Sequence, residues 1–475
     1  MRVKGYGLRV PFTPLPFTLP PSSLTPHPSP FTFQIFNIML KIFLIIITGI
    51  LTSCFYFPFF TPLLPGGMNT KMAMAVLGLM IGGMKMLRSG TTNLDRTFFT
   101  LSIYAIIVSL VCGFAVTYNG TTDTAYTLYV MSMWTWLGGA YAVCNIIKAV
   151  HGKLSITLVA NYLIAVCVFQ CIMALVIDNV PAVQDVVDAY VNIGQDYNKK
   201  VDRLYSMGAA LDTAGMRYSL VLVMLAHIML NIQRTTYKRW LWLYLVAYAI
   251  IIVIGNMMAR TTSVGMVLSV IYLVTSSGLH KLELLPSTRV LWTWIGCIAL
   301  LAVPYIVYKY NTDAEFYNDM RFAFEGFFAL FEKGEWEVGS NWQLKNMIVF
   351  PDNFKTWIIG DGYFDNPTGT DPYYIGEVTG GYYKNTDIGY LRFIFYMGLT
   401  GLLAFSIFMC RAAQLTVGRF KEYRMMILLL LAVHFIVWLK VSSDCFNVFA
   451  LLLCIPQEDN EEYDKYVAID NEDTV

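Results

Sequence analysis

About a dozen apolar runs, most of them as long as a lipid bilayer is thick, dominate this 475-residue chain. A helix needs ~20 mostly apolar residues to cross the hydrocarbon core. In lipid only a helix satisfies every backbone polar group within one segment. The runs centre on residues 39–58, 72–87, 98–117, 126–146, 154–177, 216–232, 240–257, 263–279, 290–308, 388–410, 425–439 and 445–456. The expected fold is therefore all-α: a polytopic transmembrane helix bundle of about 12 spans. The last two runs are short, and also fit one span plus a re-entrant segment. Charged residues make up 14% of the chain, against about 25% in soluble domains, so most soluble enzyme classes are excluded. A net charge of +1 gives no electrostatic case for nucleic acid. The nine cysteines fall in or beside apolar runs, with no CxxC spacing, so neither a disulfide framework nor a thiolate metal site is expected.

Basic residues in short loops mark the cytosolic side. One set of loops, from Lys85 to Arg424, holds fourteen Lys and Arg; the short loops opposite hold only Lys71, Arg260 and Lys440. Both termini then lie in the cytosol, and the polar loops 178–215 and 310–387 lie outside. Residues 1–38 form a Pro-rich segment expected to be disordered or to represent an early start, with eight prolines in the first 32 residues. Met39-Leu40-Lys41 and the run to Cys54 imitate a lipoprotein signal, but a lipid anchor is redundant on a chain with so many further spans. The membrane domain is 39–456, and 457–475 is an acidic cytosolic tail. No inverted repeat of broken helices stands out, which counts against a secondary transporter.

In such a chain chemistry concentrates outside the bilayer. The 78-residue interval from Tyr310 to Asp387 holds thirteen carboxylates, and Trp336, Trp342 and Trp357 besides. Flat aromatic faces stack on sugar rings and carboxylates take hydroxyl hydrogens, so Trp342 is a candidate sugar-binding residue. Aromatics also serve as interfacial belts. Phe322–Phe331 and Trp342–Phe350 read as amphipathic segments that roof a cavity. Arg260, in the tight turn between two spans, is the first candidate: an outer guanidinium either forks onto phosphate oxygens or snorkels to lipid. Arg217 opens another span on the same side, as a second phosphate ligand or an anchor. Arg392 lies a turn inside the tenth span and needs an anion: Asp387, Asp444 or a substrate phosphate. Asp387 is either a helix N-cap or a base whose pKa is lifted by burial. Gly360-Asp361-Gly362 is either a tight turn or a carrier of a catalytic acid. Lys440 and Asp444 stand close enough in sequence to pair, and His434 reads as a packed polar residue.

The layout resembles the bacterial O-antigen polymerase family. The resemblance rests on the dozen spans with both ends inside, the medium loop at 178–215, Arg260 at the outer end of a middle span, and the large loop before the tenth span. It rests also on Gly360-Asp361-Gly362 followed by Thr386-Asp387-Ile388-Gly389-Tyr390-Leu391-Arg392, and covers residues 39 to 456. It implies a polysaccharide polymerase of the inner membrane that joins undecaprenyl-diphosphate-linked oligosaccharide repeats at the periplasmic face by inverting glycosyl transfer. Arg260 and Asp387 or Asp361 would be catalytic. Arg217, Arg392, Tyr390 and Trp342 would hold the diphosphate and sugar. Membrane lipid and a chain-length regulator are the implied partners. No metal or cofactor is implied, because no DxD or His/carboxylate cluster stands on the outer side. The related O-antigen ligases usually carry a histidine in the large loop; here 310–387 contains none. A lipid-linked oligosaccharide flippase is the other alternative.

Overall fold

The computed structural model describes residues 30–89, 95–193, 203–232, 238–281, 284–335, 337–339, 345–367 and 381–460. Trp342 lies outside the described residues. The chain divides into a short unit, Met1–Leu44, and a large one, Ile45–Val475. All regular structure among the described residues is helical; the only β contacts are isolated bridges.

Sixteen α-helices lie among the described residues. They are α1 (Pro30–Tyr56), α2 (Thr70–Ser89), α3 (Arg96–Asn119), α4 (Tyr129–His151), α5 (Ile156–Asn179), α6 (Pro181–Tyr190), α7 (Leu211–Asn231) and α8 (Leu241–Met258). They continue as α9 (Thr262–Ser276), α10 (Pro286–Thr312), α11 (Ala314–Ala323), α12 (Glu325–Lys333), α13 (Phe354–Ile358), α14 (Gly389–Arg419), α15 (Arg424–Val437) and α16 (Phe446–Leu453).

Nine helices among the described residues are long and apolar enough to cross a membrane. Three of the twelve expected runs are shorter: α9 has 15 residues, α15 has 14 and α16 has 8. At 1.5 Å per residue, α16 is ~12 Å long, well short of the ~30 Å hydrocarbon core. All eight of its residues are buried, so protein rather than lipid surrounds it.

Burial orders the helices. Helix α7 is central, with 83% of its apolar window inside the protein, whereas α10 is 6% buried. Lipid tails are as apolar as leucine, so close packing rather than hydrophobicity joins such helices, and small residues supply it. Gly265 of α9 lies so near α7 that a Cβ there would stand 2.1 Å from Ser219 Cα. The Gly265 N–H donates to Ser219 Oγ at 3.0 Å, and that hydroxyl donates to Thr261 O at 3.0 Å. Gly215 meets Ala259 and Thr261 in the same way. This contact fixes the Gly255–Thr262 turn against α7, and with it the position of Arg260.

Helix α14 is broken. Gly398 takes φ 67°, ψ −177° inside it, a left-handed φ that a residue with a Cβ rarely adopts. Nearby carbonyls lose their intrahelical partners and find new ones. Asp361 N–H donates to Phe395 O at 2.5 Å, and Gly362 N–H to Tyr396 O at 3.2 Å. Thr400 Oγ1 donates to Ile358 O at 2.7 Å. A Cβ on Gly360 would meet Tyr396 O at 2.6 Å, and one on Gly398 would meet Ile358 O at 2.1 Å. The Gly360-Asp361-Gly362 turn is thus the plug of a helix break.

Replacing Gly265 by Val is expected to destabilise the bundle by about 1–3 kcal/mol, as overpacking does. Thermal melting of the detergent-solubilised protein against Ser219→Ala checks it: the glycine change should lower Tm more than the hydroxyl change.

Candidate functional site

One end of the bundle collects the polar groups. It is the end where α2, α7, α9, α14 and α16 begin, and where α8 and α15 finish. Asp212 opens α7, Arg260 occupies the α8–α9 turn, Asp387 precedes α14, and Lys440 and Asp444 lie between α15 and α16.

Asp212 and Lys440 form the central ion pair, Nζ to Oδ1 at 2.8 Å, with both side chains largely buried. Thr261 Oγ1 also donates to Asp212 Oδ1. One carboxylate therefore ties α7, the α8–α9 turn and the α15–α16 turn. The sequence allowed Lys440 to pair with Asp444, but the turn separates them. Trp438 Nε1 donates to Ser443 O at 2.6 Å, and Asp444 Oδ1 accepts from Phe446 N–H at 3.1 Å, just ahead of α16. Burial then pushes the Asp444 carboxyl up, with Lys71 and Arg217 opposing it.

Arg260 pairs with Glu325 at 2.8 Å and lies 4.0 Å from the centre of the Phe322 ring. Arg203 also lies over that ring, 5.8 Å from its centre. A cavity of about 180 Å³ opens beside Arg260, with Lys440 and Thr261 as polar lining and Val264, Phe324, Phe327 and Ile436 as apolar lining. Helices α11 and α12 roof it, in keeping with the amphipathic reading of Phe322–Phe331.

Arg392 is 6% exposed. It lies between the Phe364 and Tyr382 rings, 3.8 and 3.7 Å from their centres. Its Nη2 donates to Asp365 Oδ1 at 2.7 Å and its Nη1 to Ser442 Oγ at 2.8 Å. Its ion-pair partner is thus Asp365, which is none of the three anions named from the sequence. A guanidinium held on both faces and at both ends is a pillar that fixes the loop above α14.

Asp387 is half-buried, and its Oδ1 has no hydrogen-bond partner among the described residues. Burial, reinforced by the Asp212 charge, pushes its carboxyl up to about 6, while Arg392 and Lys440 pull it down. It does not cap α14, whose Ncap is Ile388. Asp361, by contrast, is fully engaged. It accepts from Lys355 Nζ at 2.8 Å, Thr356 Oγ1 at 2.6 Å and Tyr383 OH at 3.3 Å.

The remaining expectations divide. Arg217 lies apart from the Arg260 cavity, 5.6 Å from the Phe57 ring centre and within electrostatic range of Asp444 and Lys71. Tyr390 OH donates to Phe435 O at 2.9 Å, joining α14 to α15. His434 is buried and packs edge-on against Trp438 at 4.3 Å. Sequence reasoning passed over Asp212, Glu325 and Asp365 as specific partners. Asp212 carried a signal, a carboxylate at the first turn of an apolar run. Glu325 and Asp365 were two among thirteen acids in the long loop.

The Asp387 carboxyl gives a pH prediction. Its folded pKa of about 6 exceeds the ordinary value, so the folded state holds the proton more tightly than the unfolded state. Native stability therefore falls as pH rises from the ordinary carboxylate range through 6. Asp387→Asn is expected to melt above wild type at pH 8, with the gap closing as pH drops from 6 toward 4. Melting curves of both proteins across that range check it. No family model, no curated protein and no solved structure matches this chain.

Proposed function

We propose that this chain is a surface-polysaccharide polymerase of the O-antigen polymerase type. It transfers a nascent glycan from undecaprenyl diphosphate to a sugar hydroxyl of the next lipid-linked repeat. The observation that carries the reading is Asp387: a half-buried carboxyl near pKa 6, with one buried oxygen that has no hydrogen-bond partner among the described residues, within electrostatic range of Arg392 and of Lys440, which lines the Arg260 cavity. A base poised near the working pH, next to cations that take up leaving-group charge, is what glycosyl transfer from a diphosphate requires.

The acceptor hydroxyl oxygen attacks the anomeric carbon and gives its proton to Asp387. The bond from that carbon to the diphosphate oxygen breaks, and the electron pair leaves with the lipid diphosphate. Arg260 and Lys440 hold the charge. A single displacement inverts the anomeric centre. Asp361, spent on Lys355, Thr356 and Tyr383, is the weaker candidate for the base. The surplus of basic residues on the opposite loops supports a periplasmic site and cytosolic termini. In this reading the three short helices complete a twelve-pass arrangement, in the inner membrane.

Deleting the gene and running the surface glycan on a gel tests the reading. Core bearing a single repeat, with the ladder lost, is expected. Loss of every repeat with accumulation of lipid-linked precursor would instead indicate a ligase or a flippase. Complementation with Asp387→Asn should cut polymer formation by about 10²–10⁴-fold at normal protein levels. With wild-type enzyme the rate should rise with pH to a plateau above about 6, because the base acts deprotonated.

A further inference from the structure

The Arg260 cavity has a composition that the catalytic reading alone does not explain. One end holds two cations that are each paired with a carboxylate, Arg260 with Glu325 and Lys440 with Asp212; the walls are apolar, from Val264 of α9, Ile436 of α15, and Phe324 and Phe327 of the roof. Ile436 near the end of α15 and Leu439 just after that helix are exposed side chains, so the apolar wall runs on toward the outward-facing side of the α15 end. A charged end leading onto an apolar track matches an amphiphile with an anionic head and a hydrocarbon tail.

The cationic end is already filled by an anion from the chain itself. Glu325 Oε2 lies 2.8 Å from Arg260 Nη1. The two partners differ in freedom. The Arg260 side chain is 17% exposed and packed on Phe322, whereas that of Glu325 is 37% exposed and stands at the first position of α12. The other oxygen of Glu325 accepts from Gly339 N–H at 3.0 Å, so the same carboxylate ties the roof helix to the segment that follows it. A partly exposed ion pair contributes little, and a doubly charged head outcompetes a single carboxylate for a guanidinium.

We infer that Arg260 and Lys440 form the seat for the diphosphate head of a polyprenyl carrier entering between α9 and α15, and that Glu325 is a surrogate anion which the carrier displaces. The carrier's identity rests on the proposed function; the displacement rests on the geometry. Seating the head moves Glu325 off Arg260 and loosens α12 over the cavity. The roof therefore opens in response to the substrate's charge and stays shut without it.

Binding of farnesyl diphosphate to the full-length protein in detergent tests this, with farnesol as the uncharged control. Glu325→Gln keeps the shape and removes the competing charge, and should bind the diphosphate about two- to fivefold tighter than wild type. Arg260→Ala should lose most of the binding, and farnesol should show no difference among the variants. Glu325→Ala serves as a second charge-removing variant should the glutamine form fold poorly. Unchanged or weaker diphosphate binding in a charge-removed variant that melts like wild type would overturn the inference. The expected affinity ranking together with an intact glycan ladder in the deletion strain would retain the seat and discard the polymerase reading. A lost ladder without that ranking would do the reverse.

Discussion

The buried pair between Asp212 and Lys440 is the tie on which the rest of the polar end depends. The two residues stand 228 positions apart in the chain, and each belongs to an otherwise apolar hairpin or helix start. Removing a charge from water is costly unless a partner repays it, so neither residue tolerates the loss of the other. Their contact draws the α15–α16 turn onto α7, brings Thr261 into the same bond network, and sets Arg260 at the mouth of a cavity. It also supplies the negative charge that, after burial, keeps the Asp387 carboxyl protonated to an unusually high pH.

Around that tie the cations fall into distinct jobs. Arg392 is locked by two rings, a serine and Asp365, and serves to fix the loop before α14. Arg260 packs on Phe322 and pairs with Glu325, whose side chain is partly exposed. Of the two, Arg260 is the one whose partner a ligand is able to replace. Arg217 lies with Lys71 near Asp444, on the other flank of the same end of the bundle. The three arginines looked alike in the sequence, each a basic residue at the outer end of an apolar run. Their differences arise from which loop segments cover them.

The break in α14 shows how a short sequence motif acquires meaning only through a distant contact. Gly360 and Gly398 are 38 residues apart, yet each is needed because the other segment's backbone occupies the space a Cβ would fill. The peptide N–H groups of the turn replace those missing from the helix ladder, which a chain in lipid must do somewhere. Asp361 then stabilises the turn itself, through Lys355, Thr356 and Tyr383.

The all-helical class, the set of apolar helices and their approximate ends were written in the sequence, because hydrophobic run length is a local property and the bilayer sets one length for all spans. Arg260 and Asp387 were legible for a related reason: a charge beside an apolar run is rare enough to be noticed. Three of the expected runs form helices of only eight to fifteen residues, a difference that composition does not show, because it does not reveal whether lipid or protein surrounds a short apolar helix. The pairings Asp212–Lys440, Arg260–Glu325 and Arg392–Asp365 were decided only by the tertiary structure. Electrostatic energy depends on distance and burial, and neither is a function of separation along the chain.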